Sequence, residues 1–285
     1  MAKRDKIREA KKSGDEDEEV KERASTKGRV VYKAVQKEGE DELERPNSAL
    51  AWSGLAAGLS MGFSLMSEGL LRSHLPDAPW RLLISKFGYS IGFLVVILGR
   101  QQLFTENTLT VILPLLRKHD GRTFYNVARL WTIVLVANLV GGFAVAWLLG
   151  HTNGVGPEVH EAMKELSLTA MNHDFGTLLI RGVFAGWLIA LMVWLLPVAD
   201  TARVGVIVII TYIVGIGEFS HIVAGSVEAF YLVGIGIKSF GDYFIYMVPI
   251  LIGNIIGGSS IVAAIAHAEY IGSGEGKSES DDAIA

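Results

Sequence analysis

His221 is the residue with most chemistry to offer, because an ionisable ring there interrupts a long apolar run. It ends the segment Gly215-Ile216-Gly217-Glu218-Phe219-Ser220-His221, set inside an otherwise apolar stretch from Val204 to Val233. Imidazole changes charge near neutral pH, so His221 can hold positive charge beside an anion or hand it a proton. Protonating a weak acid removes the cost of moving its charge past apolar walls. The plainer alternative is a satisfied interhelical hydrogen bond. A second interruption, Arg100-Gln101-Gln102-Leu103-Phe104-Thr105-Glu106-Asn107, breaks the run from Leu82 to Leu116. Its Thr105 hydroxyl can bond a small oxyanion, His221 or its own helix carbonyl. Leu103, Phe104 and Phe219 flank the polar centres as candidate apolar constrictions, with ordinary packing as the alternative. Glu218-x-x-His221 has the spacing of di-iron helices, but a second such pair on another span is missing. No metal and no cofactor are expected. Neither a nucleophile elbow nor a phosphate loop occurs, so no enzyme activity is expected.

The elements that must position these residues are membrane spans. Half of the 285 residues are apolar, and the charge is segregated: residues 1–46 hold 26 of the 56 Lys, Arg, Asp and Glu. A bilayer core needs about 20 apolar residues per helix. Spans are expected at Ser48–Leu71, Leu82–Leu116 with the first break, Phe124–Leu149, Thr177–Leu196, Val204–Val233 with the second break, and Tyr243–Ala266. The stretch from His151 to Phe175 is too hydrophilic to span. No cysteine is present, which excludes disulfides, thiolate metal sites and cysteine nucleophiles. No apolar segment of a secretory signal follows Lys3–Lys12. Basic and acidic residues balance in 1–46, so a nucleic-acid partner is not expected.

Irregular backbone survives in lipid only when buried in protein or lining a cavity, so both breaks point to one pathway. Thr105 precedes Asn138-Leu-Val-Gly-Gly by 33 residues, and His221 precedes Asn254-Ile-Ile-Gly-Gly by 33. Gly54-x-x-x-Gly58 and Gly182-x-x-x-Gly186 open the halves with small residues that let helices approach. The expected fold is an all-α membrane protein of six helices in two inverted three-helix repeats, with the second and fifth helices broken. This alignment places Thr105 opposite His221 as repeat equivalents. Half-helices starting near Asn107 and Ile222 would aim their positive ends at the centre, which favours an anion. Arg117, Lys118 and Arg122 follow the second span, whereas His151–Gly176 holds only Lys164. The first loop is therefore expected inside and both termini cytoplasmic. The organisation reads as a charged extension 1–46, either a disordered tail or a helix packed on the membrane domain, then a channel domain 47–270 and an acidic tail 271–285.

With these motifs in place, residues 46–267 resemble the formate/nitrite transporter family. The resemblance rests on Leu103-Phe104-Thr105, Phe219-Ser220-His221, Asn138 and Asn254 before their Gly pairs, and Gly182-Val-Phe-Ala-Gly-Trp-Leu through Val193-Trp194. It implies an aquaporin-like protomer, a homopentamer with a pore in each protomer, and a bacterial inner-membrane location in contact with lipid. Substrates implied are small monovalent anions of weak acids such as formate and nitrite. Thr105 and His221 would be the selectivity pair, Leu103, Phe104, Phe93, Tyr89 and Phe219 the constrictions, and Asn138, Asn254 and Ser220 structural supports. The chain departs from the family at Ala170 and Met171 (a lysine expected), Ser220 (Glu), Gly225 and Gly186 (Asn), and Val214 (aromatic), and it adds Glu106. A neutral-solute pore and a non-transporting scaffold that recruits partners through 1–46 are the alternative readings.

Overall fold

The computed structural model describes residue 28 and residues 30–272. The acidic block Asp15–Glu19 and residues 273–285 lie outside the described residues. Every regular element among them is helical. Helix α1 (30–44) leads into α2 (Asn47–His74), the short α3 (Arg81–Ser85) and α4 (Tyr89–Leu98). After the first break come α5 (Phe104–Thr110) and α6 (Ile112–Lys118), then α7 (Gly121–His151) and α8 (Pro157–Met171). The second half runs through α9 (Phe175–Leu195), α10 (Arg203–Ile216), α11 (Ile222–Gly234), α12 (Phe240–Ile255), a π-helical stretch Ile256–Ala263, and α13 (Ala264–Gly272).

Five helices or helix pairs among the described residues are long and apolar enough to cross a membrane: Asn47–His74, Arg81–Leu98, Gly121–His151, Phe175–Val198 and Phe240–Glu269. The fifth expected span is instead two shorter helices of 14 and 13 residues, α10 and α11, separated by the second break. The first half-helix after a break begins at Phe104, not near Asn107, because Leu103 already leaves the helical region at φ −104°, ψ 128°.

The stretch 151–175 holds α8, whose buried Val159, Ala162, Met163, Leu166 and Ser167 follow the 3.6-residue period. Pro157 starts it, where a missing amide costs nothing. Its buried face packs on α2 and α11, so a segment too polar to span roofs one end of the bundle.

Helix α1 is packed on the membrane domain through Val31, Tyr32 and Val35, all buried. Tyr32 meets His267 of α13 at 2.8 Å, and Arg129 of α7 donates to the Leu43 carbonyl at the end of α1. Pro114 lacks the amide that the Thr110 carbonyl would otherwise accept. The backbone of α1 at Gly39 lies against that carbonyl, leaving no room for a Cβ.

The two halves repeat in detail. Helix α2 packs on α7 as α9 packs on α12. Asn138 accepts from the Phe104 amide at 2.9 Å and donates to the carbonyls of Gly54 and Gln102, each at 2.8 Å. Asn254 accepts from the Ile222 amide and donates to the carbonyls of Gly182 and Ser220, each at 2.9 Å. Both side chains are fully buried. Each satisfies three backbone groups that a broken helix would otherwise leave unpaired in lipid.

That register corrects the sequence alignment. Arg100 (φ 49°) and Glu218 (φ 50°) share the same left-handed backbone position. The flanking bonds match too: Gln101 N–H to Val96 at 2.9 Å and Phe219 N–H to Val214 at 3.0 Å. Three residues on, Leu103 and His221 are both extended, at ψ 128°. The repeat equivalent of His221 is therefore Leu103, and Thr105 corresponds to Val223. The equal 33-residue spacings misled because the first half carries two more residues between its break and its asparagine (35 from Leu103 to Asn138, 33 from His221 to Asn254).

Candidate functional site

Thr105 and His221 meet although they are not equivalents. Thr105 Oγ1 lies 2.7 Å from His221 Nε2, and both residues are buried at the centre of the bundle. Each sits at the start of a half-helix, Thr105 one residue into α5 and His221 just before α11. The local backbone also decides the ring's chemistry. His221 Nδ1 accepts from the amides of Val223 and Ala224, each at 3.2 Å, and so caps α11. An accepting Nδ1 carries no proton, so the neutral ring has its proton on Nε2 and donates it to Thr105. The Thr105 hydroxyl proton is then left over for another acceptor. Charging the ring would put a proton where two amides already point. The geometry supports a neutral donor in place of the fixed positive charge that the sequence also allowed.

The other expected site residues divide by surroundings. Phe93 sets its edge against the His221 ring (centroids 4.9 Å, planes 79° apart), and Tyr89 packs on Phe93 at 5.3 Å. Phe93, Leu103 and Phe104 are all buried. The Phe104 ring stands edge-on to Trp131 of α7, while Phe219 stacks on Phe184 of α9. Ser220 contributes its carbonyl to Asn254. Among the described residues no cluster of three or more His, Cys, Asp or Glu offers a metal site. Glu218 is 3.1 Å from Arg181 and so has a cationic partner.

A cavity of about 90 Å³ opens from His221 toward α8, with Tyr89, Phe219 and Ser220 on its wall. That is room for several waters or a small ion. Ala170, Val214 and Gly225 line it where the resemblance expected Lys, an aromatic and Asn. The place beside Gly225 is taken by the Tyr246 hydroxyl, which a Cβ there would strike.

Charges that the sequence reading passed over surround this cavity. Lys86 lines it and forms an ion pair with Glu68 of α2 at 2.5 Å, both almost fully buried. Apart from that ammonium, the Glu68 oxygens have no partner. Arg181 and Glu228 lie on the wall as well. The signal was available, since an ionisable residue inside a span is a functional candidate by default. Glu68, Lys86, Arg181 and Glu228 all fall inside expected spans.

Comparison with known proteins places this architecture. The family model described as formate/nitrite transporter matches residues 29–268. The chain is similar to "Inner membrane protein YfdC" of Escherichia coli, with 37% identity over 92% of this chain and 84% of that one. It is similar to "Formate channel BtFdhC" of Bacillus thuringiensis at 28% identity, over 74% of this chain and 82% of the other. Among solved structures, a "Pentameric formate channel with formate bound" superposes with a TM-score of 0.67 at 19% identity, covering 83% of this chain and 99% of that chain. An "FNT family ion channel" gives the same TM-score at 18% identity, over 84% and 97% of the two chains. Helix order, paired breaks and these matches agree: the chain belongs to the formate/nitrite transporter family.

Proposed function

We propose that this protein passes small monovalent anions of weak acids across a bacterial inner membrane and catalyses no covalent reaction. The observation that carries the reading is the buried contact between Thr105 and His221 at 2.7 Å, where two half-helices begin. An anion that parts this contact accepts from the Thr105 hydroxyl and from the His221 Nε2–H released from Thr105, with the helix starts adding positive potential. His221 thus stabilises the anion as a neutral donor held in its tautomer by the Val223 and Ala224 amides. Phe93, Leu103 and Phe104 form the apolar constriction below the pair, and Tyr89 and Phe219 the one on the cavity side.

The assembly is a homopentamer with one pore per protomer. Apolar side chains on outward helix faces, such as Phe124, Ile180, Ile209 and Ile245, are more than half exposed on the single chain and meet lipid or a neighbouring protomer. The cavity side faces outward and both termini face the cytoplasm, in line with the basic loop Arg117–Arg122. The channel domain is 47–270, preceded by the charged extension 1–46 and followed by the tail 271–285. The test is a flux panel in proteoliposomes over formate, nitrite, acetate, lactate and hydrosulfide, with glycerol swelling alongside. Anion flux that Thr105→Val lowers strongly is the expected result. Glycerol or water flux without anion flux would overturn it.

A further inference from the structure

The cavity between His221 and α8 carries one charge that the pore reading leaves unused. Its cations are each matched: Lys86 with Glu68 at 2.5 Å, Arg181 with Glu218 at 3.1 Å, Arg72 with Glu165 at 3.0 Å. Glu228 lies on the same wall and makes no hydrogen bond or ion pair with any described residue. It stands seven residues after His221 on α11, which is two turns, the same face, and about 10 Å along the axis. Ionised, it leaves the cavity with a net negative charge on the approach to a centre built to receive an anion.

Among the described residues around it no cation is left unpaired. Lys86 and the fields of Glu68 and Glu218 reach it most strongly. Tyr89 comes from α4, Arg72 from α2, Arg181 from α9, Tyr246 from α12 and His221 from the break. From α8, His160 bonds the Tyr231 hydroxyl, and Lys164 pairs with Glu161. Helix α7 meets this stretch of α11 through Gly142 and Phe143, neither charged.

We propose that Glu228 is the proton-accepting gate of this cavity, taking up one proton from the adjoining water as a monovalent anion enters and returning that proton to the same water when the anion has left. The carboxylate and the proton become a carboxylic acid, and the cavity charge rises from −1 to 0. The anion then returns it to −1. Ionised Glu228 excludes anions; protonated Glu228 lets them reach Thr105 and His221. The inference rests on the anion-pore reading and adds a residue and a sign of pH dependence to it.

The test is formate influx into proteoliposomes of the full chain, from mildly acidic to mildly alkaline pH, corrected for protein-free vesicles. One unit charge about 10 Å away at an effective dielectric constant near 20 is worth about tenfold in anion occupancy. Wild-type influx is expected to fall about tenfold across that range. Glu228→Gln should hold near the acidic rate throughout, and Glu228→Asp should keep the fall. A Glu228→Gln protein with the wild-type pH profile would overturn the proposal. Infrared difference spectra of the wild-type protein read the same proton without transport. Formate added at alkaline pH should raise a protonated-carboxyl band that is missing from Glu228→Gln. A wild-type channel that carries formate without that band overturns the gate and leaves the pore reading intact. The band without any anion flux sinks the pore reading while proton uptake at Glu228 stands. Neither band nor flux overturns both.

Discussion

Residue chemistry at the centre turns on which nitrogen of His221 is free. The α11 amides occupy Nδ1, so Nε2–H and the Thr105 hydroxyl are the two donors open to an anion that parts their mutual contact. Thr105→Val keeps the shape and removes one donor. A hydrogen bond to a charged group is worth about 1.5–3 kcal/mol, so anion flux should drop about 10- to 100-fold while the assembled protein elutes unchanged. His221→Phe removes the other donor and the α11 cap together, and should lower flux and also the free energy of unfolding, by the roughly 1 kcal/mol a cap contributes, read as a lower melting temperature. The buried Lys86–Glu68 pair makes a separate prediction. Lys86→Met leaves a carboxylate uncompensated in a nearly dry site, a loss of about 3–5 kcal/mol in thermal unfolding, and adding Glu68→Leu should restore most of it. A double variant as unstable as the single one would show that the pair is not what holds these helices. Thr105 and His221 were legible from the sequence because each sits in a polar break inside an apolar run. Their contact stood in the sequence only as one of several bonds open to the Thr105 hydroxyl, because it spans 116 residues and depends on how two half-helices meet.

At the scale of elements, the breaks are held open by one side chain each. Asn138 and Asn254 each tie three backbone groups that helical bonding has abandoned. Asn138→Ala and Asn254→Ala should destabilise to similar extents, each leaving buried groups unpaired at about 1–3 kcal/mol per group. Thermal unfolding in detergent checks this, and unequal losses would mean that the two halves are not held by the same device. The sequence showed both asparagines, both Gly pairs and both breaks, because polar residues and glycines stand out against leucine and valine. It did not show the register. Arg100 and Glu218 share one left-handed conformation that costs each about 1–2 kcal/mol, and nothing in their side chains announces it. Helix α8 was hidden for a related reason. Its polar face dominates the composition, while the five residues it buries make sense only with α2 and α11 in place.

The molecule as a whole is a bundle whose outward faces are largely apolar and whose charge is concentrated in its extensions, its loops and one cavity, with Glu106 of α5 set apart from these. Helix α1 belongs to that whole, because Tyr32, Val35 and Leu43 are buried against the bundle rather than solvated. On the proposed reading the detergent-solubilised protein is a pentamer, which native mass spectrometry checks as five times the chain mass; a monomer at that readout would remove the assembly. Orientation can be tested with unusual economy, since the chain has no cysteine of its own. Lys118 closes α6 beside Arg117 in a basic loop, and Lys164 lies on the exposed side of α8, paired with Glu161. Basic residues in short loops stay on the cytoplasmic face. Lys164→Cys should therefore react with a membrane-impermeant maleimide added to intact spheroplasts, and Lys118→Cys only after lysis. The reverse pattern would turn the protein over and place the Glu228 cavity on the cytoplasmic side. Proton uptake there would then follow cytoplasmic rather than external pH, so this labelling result decides from which side the gate reads acidity.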